Sequence, residues 1–263
     1  MDPHDQHVAR CESCQRRDAL DFDFTMAFQP IVDVEKREVF AYEALVRGTD
    51  GSGAYSILSR VDDHNRYSFD QRCRVKAVEL AARLGIECFV SINFLPNAVY
   101  EPATCIRATL AAAERNSFPP DRIIFELTES EEPANKQHLL GIMEDYSRRG
   151  FTTAIDDFGA GYSGLTLLAD FQPDIVKLDM ALIRDIHIDT VRQAIVEGVL
   201  DVCRRLDIGI VAEGVETIDE YVWLVERGVR YIQGYLLAKP GFEELPAIDW
   251  PEDERVAAVG APA

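Results

Sequence analysis

The residues best placed to do chemistry sit where apolar, β-rich runs end. VFAY runs into EALVR, CFVS into IN, RII into FELTE, TTAI into DDFG, DIV into KLD, GIV into AEG and RYI into QG. These ends supply Glu43, Asn93, Glu126, Asp156, Asp157, Lys177 and Glu213. Burying a carboxylate at an apolar strand end is costly unless a metal or an ion partner compensates, so five converging acids need something to hold them together. Oxygen donors without histidine suit hard divalent cations, Mg2+ or Mn2+, better than zinc or iron. The adjacent Asp156 and Asp157 fit a two-metal clamp, in which one carboxylate bridges ions about 3.5–4 Å apart and its neighbour serves the second. A lone strand-end acid is more often a helix cap or a surface ion pair. Seven such ends in succession make that reading poor for the set. The loop DFGAGYSGL at 157–165 carries three glycines, and its composition suits a segment that adjusts to a ligand as well as it suits a tight structural turn.

The elements that would position these residues alternate short strands with amphipathic helices, the rhythm of a parallel α/β sheet. Candidate strands are Met26–Val34, Val39–Leu45, Cys88–Phe94, Arg122–Leu127, Thr152–Ile155, Ile175–Leu178, Gly209–Ala212 and Tyr231–Gln233, enough to close a barrel. The first two, joined by the polar turn around Glu35–Glu38, read as a hairpin. The expected fold is therefore α/β, a modified TIM-type (β/α)8 barrel with one antiparallel strand near the start. In such a barrel the C-terminal strand ends form one face, so the seven residues would share one mouth. The barrel is expected over residues 24–250, after a short tail (1–23) and before a loosely ordered C-terminal tail (251–263). Val191, Ile195, Val199, Val202 and Leu206, and likewise Leu139, Ile142, Met143 and Tyr146, recur at helical spacing and read as core-facing helix sides.

The chain's 263 residues match the size of a single α/β barrel. A net charge of −19 argues against non-specific DNA binding and requires a phosphate substrate to be met locally, for instance by bound cations. No apolar run is long enough for a membrane helix, and the N-terminus lacks a signal-peptide core, so a cytoplasmic protein without membrane contact is expected. Six cysteines are scattered along the chain. Cys11 and Cys14 form a CxxC preceded by His4 and His7, which reads either as four zinc ligands or as incidental thiols in a tail.

From about Phe24 to Phe242 the chain resembles the EAL-domain family of bacterial cyclic di-GMP phosphodiesterases. FQP at 28–30, EALVR at 43–47, IN at 92–93, FELTES at 125–130, DDFGAGYS at 156–163, KLD at 177–179, AEGVET at 212–217 and QGY at 233–235 follow the family's order and approximate spacing. The resemblance implies hydrolysis of one phosphodiester bond of cyclic di-GMP to linear pGpG by two-metal activation of water. It implies that Glu43, Asn93, Glu126 and Asp156 bind one Mg2+ or Mn2+ and that Asp156, Asp157 and Glu213 serve the second. Lys177 would orient the attacking water, and Glu213 is the candidate general base unless a water bridging two metals needs none. Gln29, Leu45, Arg47 and Gln233 would meet the substrate, Arg47 through a phosphate. Glu129 would steady the DDFG loop, and Glu216 would support Glu213. A homodimer through the barrel face around the DDFG loop is also implied. The stretch GTDGSGAYSILSRVDDHN after Arg47 departs from the family's FIPxAE pattern and puts the pocket wall near the bases in question. A degenerate member that binds cyclic di-GMP without cleaving it, or an unrelated metal-dependent barrel enzyme, are the competing readings.

Overall fold

A computed structural model describes residues 20–99, 101–128, 136–161 and 164–252. Cys11, Cys14, Glu129 and nearly all of the C-terminal tail lie outside the described residues. The element order is β1 (Phe24–Asp33), β2 (Glu38–Gly48), α1 (Ala54–Leu58), α2 (Arg66–Arg83), β3 (Phe89–Asn93), α3 (Pro102–Cys105), α4 (Arg107–Arg115), β4 (Ile123–Thr128), α5 (Lys136–Arg148), β5 (Thr152–Phe158), α6 (Gly164–Asp170), β6 (Ile175–Leu178), α7 (Met180–Ile183), α8 (Thr190–Leu206), β7 (Gly209–Ala212), α9 (Ile218–Glu226), β8 (Tyr231–Ile232) and β9 (Gly241–Phe242). Strands β2 to β8 run parallel in sequence order, and β1 closes the ring by pairing antiparallel with both β2 and β8. The hairpin and the barrel stand as expected. The short β9, which pairs with Ala27 and Phe28 of β1, comes from a segment whose sequence shows no strand alternation.

The inner face of the barrel follows a period of two. Ile31, Ala41, Ile124, Ala154, Ile175 and Val211 form one small apolar cluster, with Phe40, Phe89 and Tyr231 packed against it. Two residues further towards the mouth, the same face carries Gln29, Glu43, Glu126, Asp156, Lys177 and Glu213. Because alternate side chains on a strand share a face, apolar filling at one level dictates that the next inward position faces the mouth. Outside the ring, two larger clusters pack the helices against the strands.

One helical stripe was misread by periodicity. Leu139, Ile142, Met143 and Tyr146 of α5 are buried as expected. On α8, however, Val191, Ile195, Val202 and Leu206 are exposed, and the core side is Val196, Val199, Leu200 and Cys203. Both faces of α8 are apolar, so spacing alone could not say which one the barrel covers.

A buried ion pair ties α2 to the base of the mouth. Asp70 Oδ2 accepts from Arg74 Nη2 at 2.5 Å, Asp70 Oδ1 accepts from the Leu95 amide at 2.9 Å, and Arg74 Nη1 donates to the Tyr146 hydroxyl at 3.2 Å. Both charged side chains are essentially inaccessible. This holds the turn that follows Asn93. Removing one partner leaves an unpaired buried charge, a loss of about 3–5 kcal/mol. Asp70→Ala is therefore expected to lower the melting temperature by roughly 10 °C, measured by calorimetry, and a change under about 2 °C would show that the pair carries no stability.

Candidate metal centre

The mouth is organised around Lys177. Its ammonium is 1% exposed and lies 2.8 Å from Glu213, 2.9 Å from Asp156, 3.0 Å from Glu126 and 3.4 Å from Glu43. Burial by itself would push the ammonium's pKa down, but Asp156, Glu126, Glu213 and Glu43 outweigh that and hold it well above the ordinary lysine value. Lys177 is thus a permanent cation. The carboxylates respond the other way. Burial, opposed by Lys177 and reinforced by neighbouring acids, pushes Glu126 up to about 8 and Glu213 well above the usual range. Asp157 rises to about 6, again chiefly through burial, with Asp156 and Asp179 adding repulsion.

Amide and hydroxyl donors orient these acids. Asn93 Nδ2 donates to Glu43 at 3.0 Å and to Glu126 at 3.3 Å, which leaves the Asn93 oxygen for another partner. Gln233 Nε2 donates to Glu43 at 2.8 Å. Ser91 Oγ, fully buried, donates to Glu126 Oε1 at 2.5 Å. Sequence reading passed over Ser91, although its place two residues before Asn93, on the same face of β3, was the available sign.

A local irregularity brings Asp156 and Asp157 to the same mouth. Neighbours on a regular strand point to opposite faces. Here the register between β5 and β6 shifts between Ile155 and Phe158, and Asp157 takes a left-handed backbone (φ 54°). Such a bulge turns the second carboxylate back towards the first. Two overlapping triads result, Glu43–Glu126–Asp156 and Asp156–Asp157–Glu213, each with donor oxygens within 4.8 Å of one another. Asp156 belongs to both. The donor set is all oxygen and fits a pair of hard divalent cations.

Above the triads opens a cleft of about 380 Å3 lined by Gln29, Glu43, Leu45, Asp156, Asp157, Asp179, Met180, Glu213, Gly214, Glu216, Gln233, Gly234 and Tyr235. Gln29 is held by the Ala238 carbonyl at 3.2 Å. Gly234 cannot carry a side chain, because a Cβ there would stand 2.0 Å from the Val215 carbonyl oxygen. Arg47 lies two residues beyond Leu45 on the same face of β2, and among the described residues its guanidinium meets no carboxylate, donating to the Val46 carbonyl at 2.7 Å. Glu216 turns its carboxylate to Arg184, at 2.8 and 3.0 Å, instead of to Glu213. The seven strand-end residues therefore converge, Gln29, Leu45 and Gln233 line the cleft with them, Arg47 stands beyond it, Glu216 engages elsewhere, and Glu129 is outside the described residues.

A family model described as the EAL domain matches residues 14–240. The blue light- and temperature-regulated antirepressor BluF of Escherichia coli (strain K12) is 34% identical over 242 residues, 92% of this chain and 60% of that protein. The cyclic di-GMP phosphodiesterase PdeR of the same strain is 35% identical over 164 residues, 62% of this chain and 24% of that protein. The chain thus spans less than two thirds of the length of these relatives. Among solved structures, a standalone EAL protein from Vibrio cholerae O395 in a c-di-GMP bound form is 57% identical, covering 88% of this chain and 98% of that one with a TM-score of 0.86. BlrP1 of Klebsiella pneumoniae in a manganese and cyclic di-GMP complex is 36% identical, covering 86% of this chain and 58% of that one with a TM-score of 0.80. With the family model spanning most of the chain and a barrel of matching topology beneath it, this protein belongs to the EAL domain family.

Proposed function

We propose that this chain is a cyclic di-GMP phosphodiesterase that hydrolyses one phosphodiester bond to give linear pGpG, using two divalent cations, Mg2+ or Mn2+. The observation that carries this reading is the pair of complete oxygen triads sharing Asp156, with Lys177 among them. Support comes from the relatives: PdeR is named a cyclic di-GMP phosphodiesterase, and the Vibrio cholerae and Klebsiella pneumoniae structures are complexes with cyclic di-GMP. Glu43, Asn93, Glu126 and Asp156 would hold one cation, and Asp156, Asp157 and Glu213 the other. Bound cations would supply Lewis-acid neutralisation of phosphoryl charge and a water of lowered pKa.

The chain's own groups then have separate tasks. Arg47, with no acid to satisfy it among the described residues, grips a substrate phosphate. Gln233 fixes Glu43 through its nitrogen, while its oxygen is buried without a partner and needs a donor from substrate or water. Lys177 donates to the attacking water and to a phosphoryl oxygen as charge builds, because its raised pKa denies it the role of base. Glu213 is the side chain available to accept the water's proton. A second reading, binding without hydrolysis, has one observation behind it: BluF, named an antirepressor, matches 92% of the chain. Incubating purified protein with cyclic di-GMP and Mg2+ or Mn2+ separates the two, since the hydrolase yields pGpG on chromatography and the binding module returns the cyclic dinucleotide intact.

Three further outcomes are expected. Asp156→Asn weakens both cations at once and should abolish hydrolysis, with substrate still bound through Arg47; more than a tenth of wild-type turnover at saturating metal would remove Asp156 from the bridging role. Lys177→Ala should lower kcat by roughly 10²–10³ while affinity changes far less. Near-normal turnover at saturating metal, together with a lowered melting temperature, would instead make Lys177 a scaffold group.

The third concerns protons. With its carboxyl at about 8, Glu126 is protonated at pH 7 in the metal-free protein, and a cation must displace that proton to bind. Mn2+ affinity should therefore rise by at least roughly tenfold per pH unit below about 8, because Glu213 and Asp157, also raised, must give up protons as well. Because the folded pKa exceeds the unfolded 4.5, the stability contributed by protonated Glu126 is full below about pH 4.5 and is lost as pH rises through about 8. Calorimetric Mn2+ titrations at pH 6, 7 and 8 check this, and an affinity independent of pH would mean that Glu126 is no ligand.

A further inference from the structure

Glu213 differs from the other acids of the centre in where it stands. Glu43, Glu126, Asp156 and Asp157 lie within β2, β4 and β5, whereas β7 ends at Ala212 and Glu213 opens the loop that follows. Strand pairing fixes the first four. Glu213 depends on what holds its loop. Its own amide donates to the Leu178 carbonyl at 3.1 Å, the Val215 amide donates to the Gln233 carbonyl at 3.1 Å, and Gly214 packs against Met180 too closely to carry a side chain. The far end of the loop is held by Glu220.

Glu220 is fully buried and accepts from three backbone amides. Its Oε2 takes those of Glu216 at 3.0 Å and Thr217 at 3.1 Å, and its Oε1 takes that of Asp185 at 3.0 Å. Helix capping accounts for one of the three. In a capping box the glutamate at the third helical position returns to the amide of the N-cap, here Thr217, whose hydroxyl accepts from the Glu220 amide at 3.3 Å. The bonds to Glu216 and Asp185 go beyond the helix, and Asp185 comes 35 residues earlier, in the turn after α7. One carboxylate therefore ties the loop after β7 to the turn that follows β6 and α7. Burial by itself would raise the pKa of Glu220, but the amides of Asp185, Glu216 and Thr217, with Arg184, outweigh that and hold it below the ordinary glutamate value. At neutral pH it is an ionised acceptor.

We propose that Glu220 is a positioning residue for the metal centre: by clamping the Glu216–Thr217 turn to Asp185 it holds Glu213 in place beside Asp156 and Asp157. The inference rests on the two-cation reading of the centre. Glu220 belongs to neither oxygen triad and acts through the backbone of the loop. Groups that orient metal ligands typically cost about 10–100-fold in metal affinity when lost. That loss should fall on the second cation alone, because the Glu43–Glu126–Asp156 triad sits on strands and does not use Glu213.

The test is a calorimetric Mn2+ titration of the whole chain at pH 8, with melting temperatures of the cation-free proteins measured alongside. Glu220→Ala should weaken the second cation at least tenfold and leave the first within about twofold. Glu220→Gln keeps the shape and one oxygen but turns an NH2 group towards one of its anchors, so it should lose about threefold at the second cation alone. Thr217→Val removes the reciprocal cap and not the clamp. It should lower the melting temperature by about 2–4 °C and leave both cations as in wild type. Both cations weakened together by Glu220→Ala, or a second cation weakened as much by Thr217→Val, makes Glu220 a helix cap and overturns the proposal. An unchanged second cation in either Glu220 variant does the same, and Glu220→Gln decides the matter even where Glu220→Ala does not fold. A wild type that takes up fewer than two cations is a separate result, which refutes the two-cation reading and this inference with it.

Discussion

The mouth of this barrel depends on one buried ammonium. Lys177 is inaccessible to water and reaches four carboxylates, on β2, β4 and β5 and just past the end of β7, at 2.8 to 3.4 Å. Without a positive charge at that point, Glu43, Glu126, Asp156 and Glu213 could share the space only as neutral acids. The ammonium cannot neutralise them all, and the strain is visible in the protons: Glu126, Glu213 and Asp157 are all pushed upward. The site is therefore built short of positive charge. That shortage makes it receptive to added cations and costs the cation-free fold some stability.

The barrel supplies the geometry with little local invention. Strand alternation sets Glu43 two residues after Ala41, Glu126 after Ile124, Asp156 after Ala154, Lys177 after Ile175 and Glu213 after Val211, so each polar group stands on an apolar floor. The one departure is the bulge at the end of β5, where Asp157 adopts a left-handed backbone and joins Asp156 on the inner side. Strain at that residue, of the order of 1 kcal/mol, is the cost of two adjacent carboxylates facing one cleft. Gly234 serves a similar end at β8, letting the chain after Gln233 pass against the Val215 backbone.

These features were unequally legible in the sequence. An apolar run followed by an acid, amide or lysine is a local pattern, and it located Glu43, Asn93, Glu126, Asp156, Lys177 and Glu213 because strand periodicity and barrel topology do the rest. The convergence of Asp157 was expected from its neighbour, but the backbone turn behind it leaves no mark in residue type. Ser91 was missed because a serine in a strand has many uses, and only the 2.5 Å contact with Glu126 singles it out. Nothing local in the sequence indicates that Arg184, 32 residues earlier, meets the carboxylate of Glu216. The α8 stripe failed for a related reason: helical spacing reports that a face is apolar and is silent on what covers it.

Charge balance connects the centre to the anion it would process. Five carboxylates and one ammonium leave four negative charges when every acid is ionised, and two divalent cations cancel them. Without cations the same balance is approached through protons, which is why burial raises Glu126 and Glu213 so far. A dinucleotide phosphate brought into a cation-free mouth would meet either ionised acids that repel it or protonated acids that cannot activate water. Only with cations in place would the acids be ionised and the phosphate attracted at the same time. In a chain of net charge −19, attraction of an anionic substrate would thus be local, confined to cations held by the triads, to Lys177 and to Arg47, while the acidic surface elsewhere would reject other polyanions without weakening it.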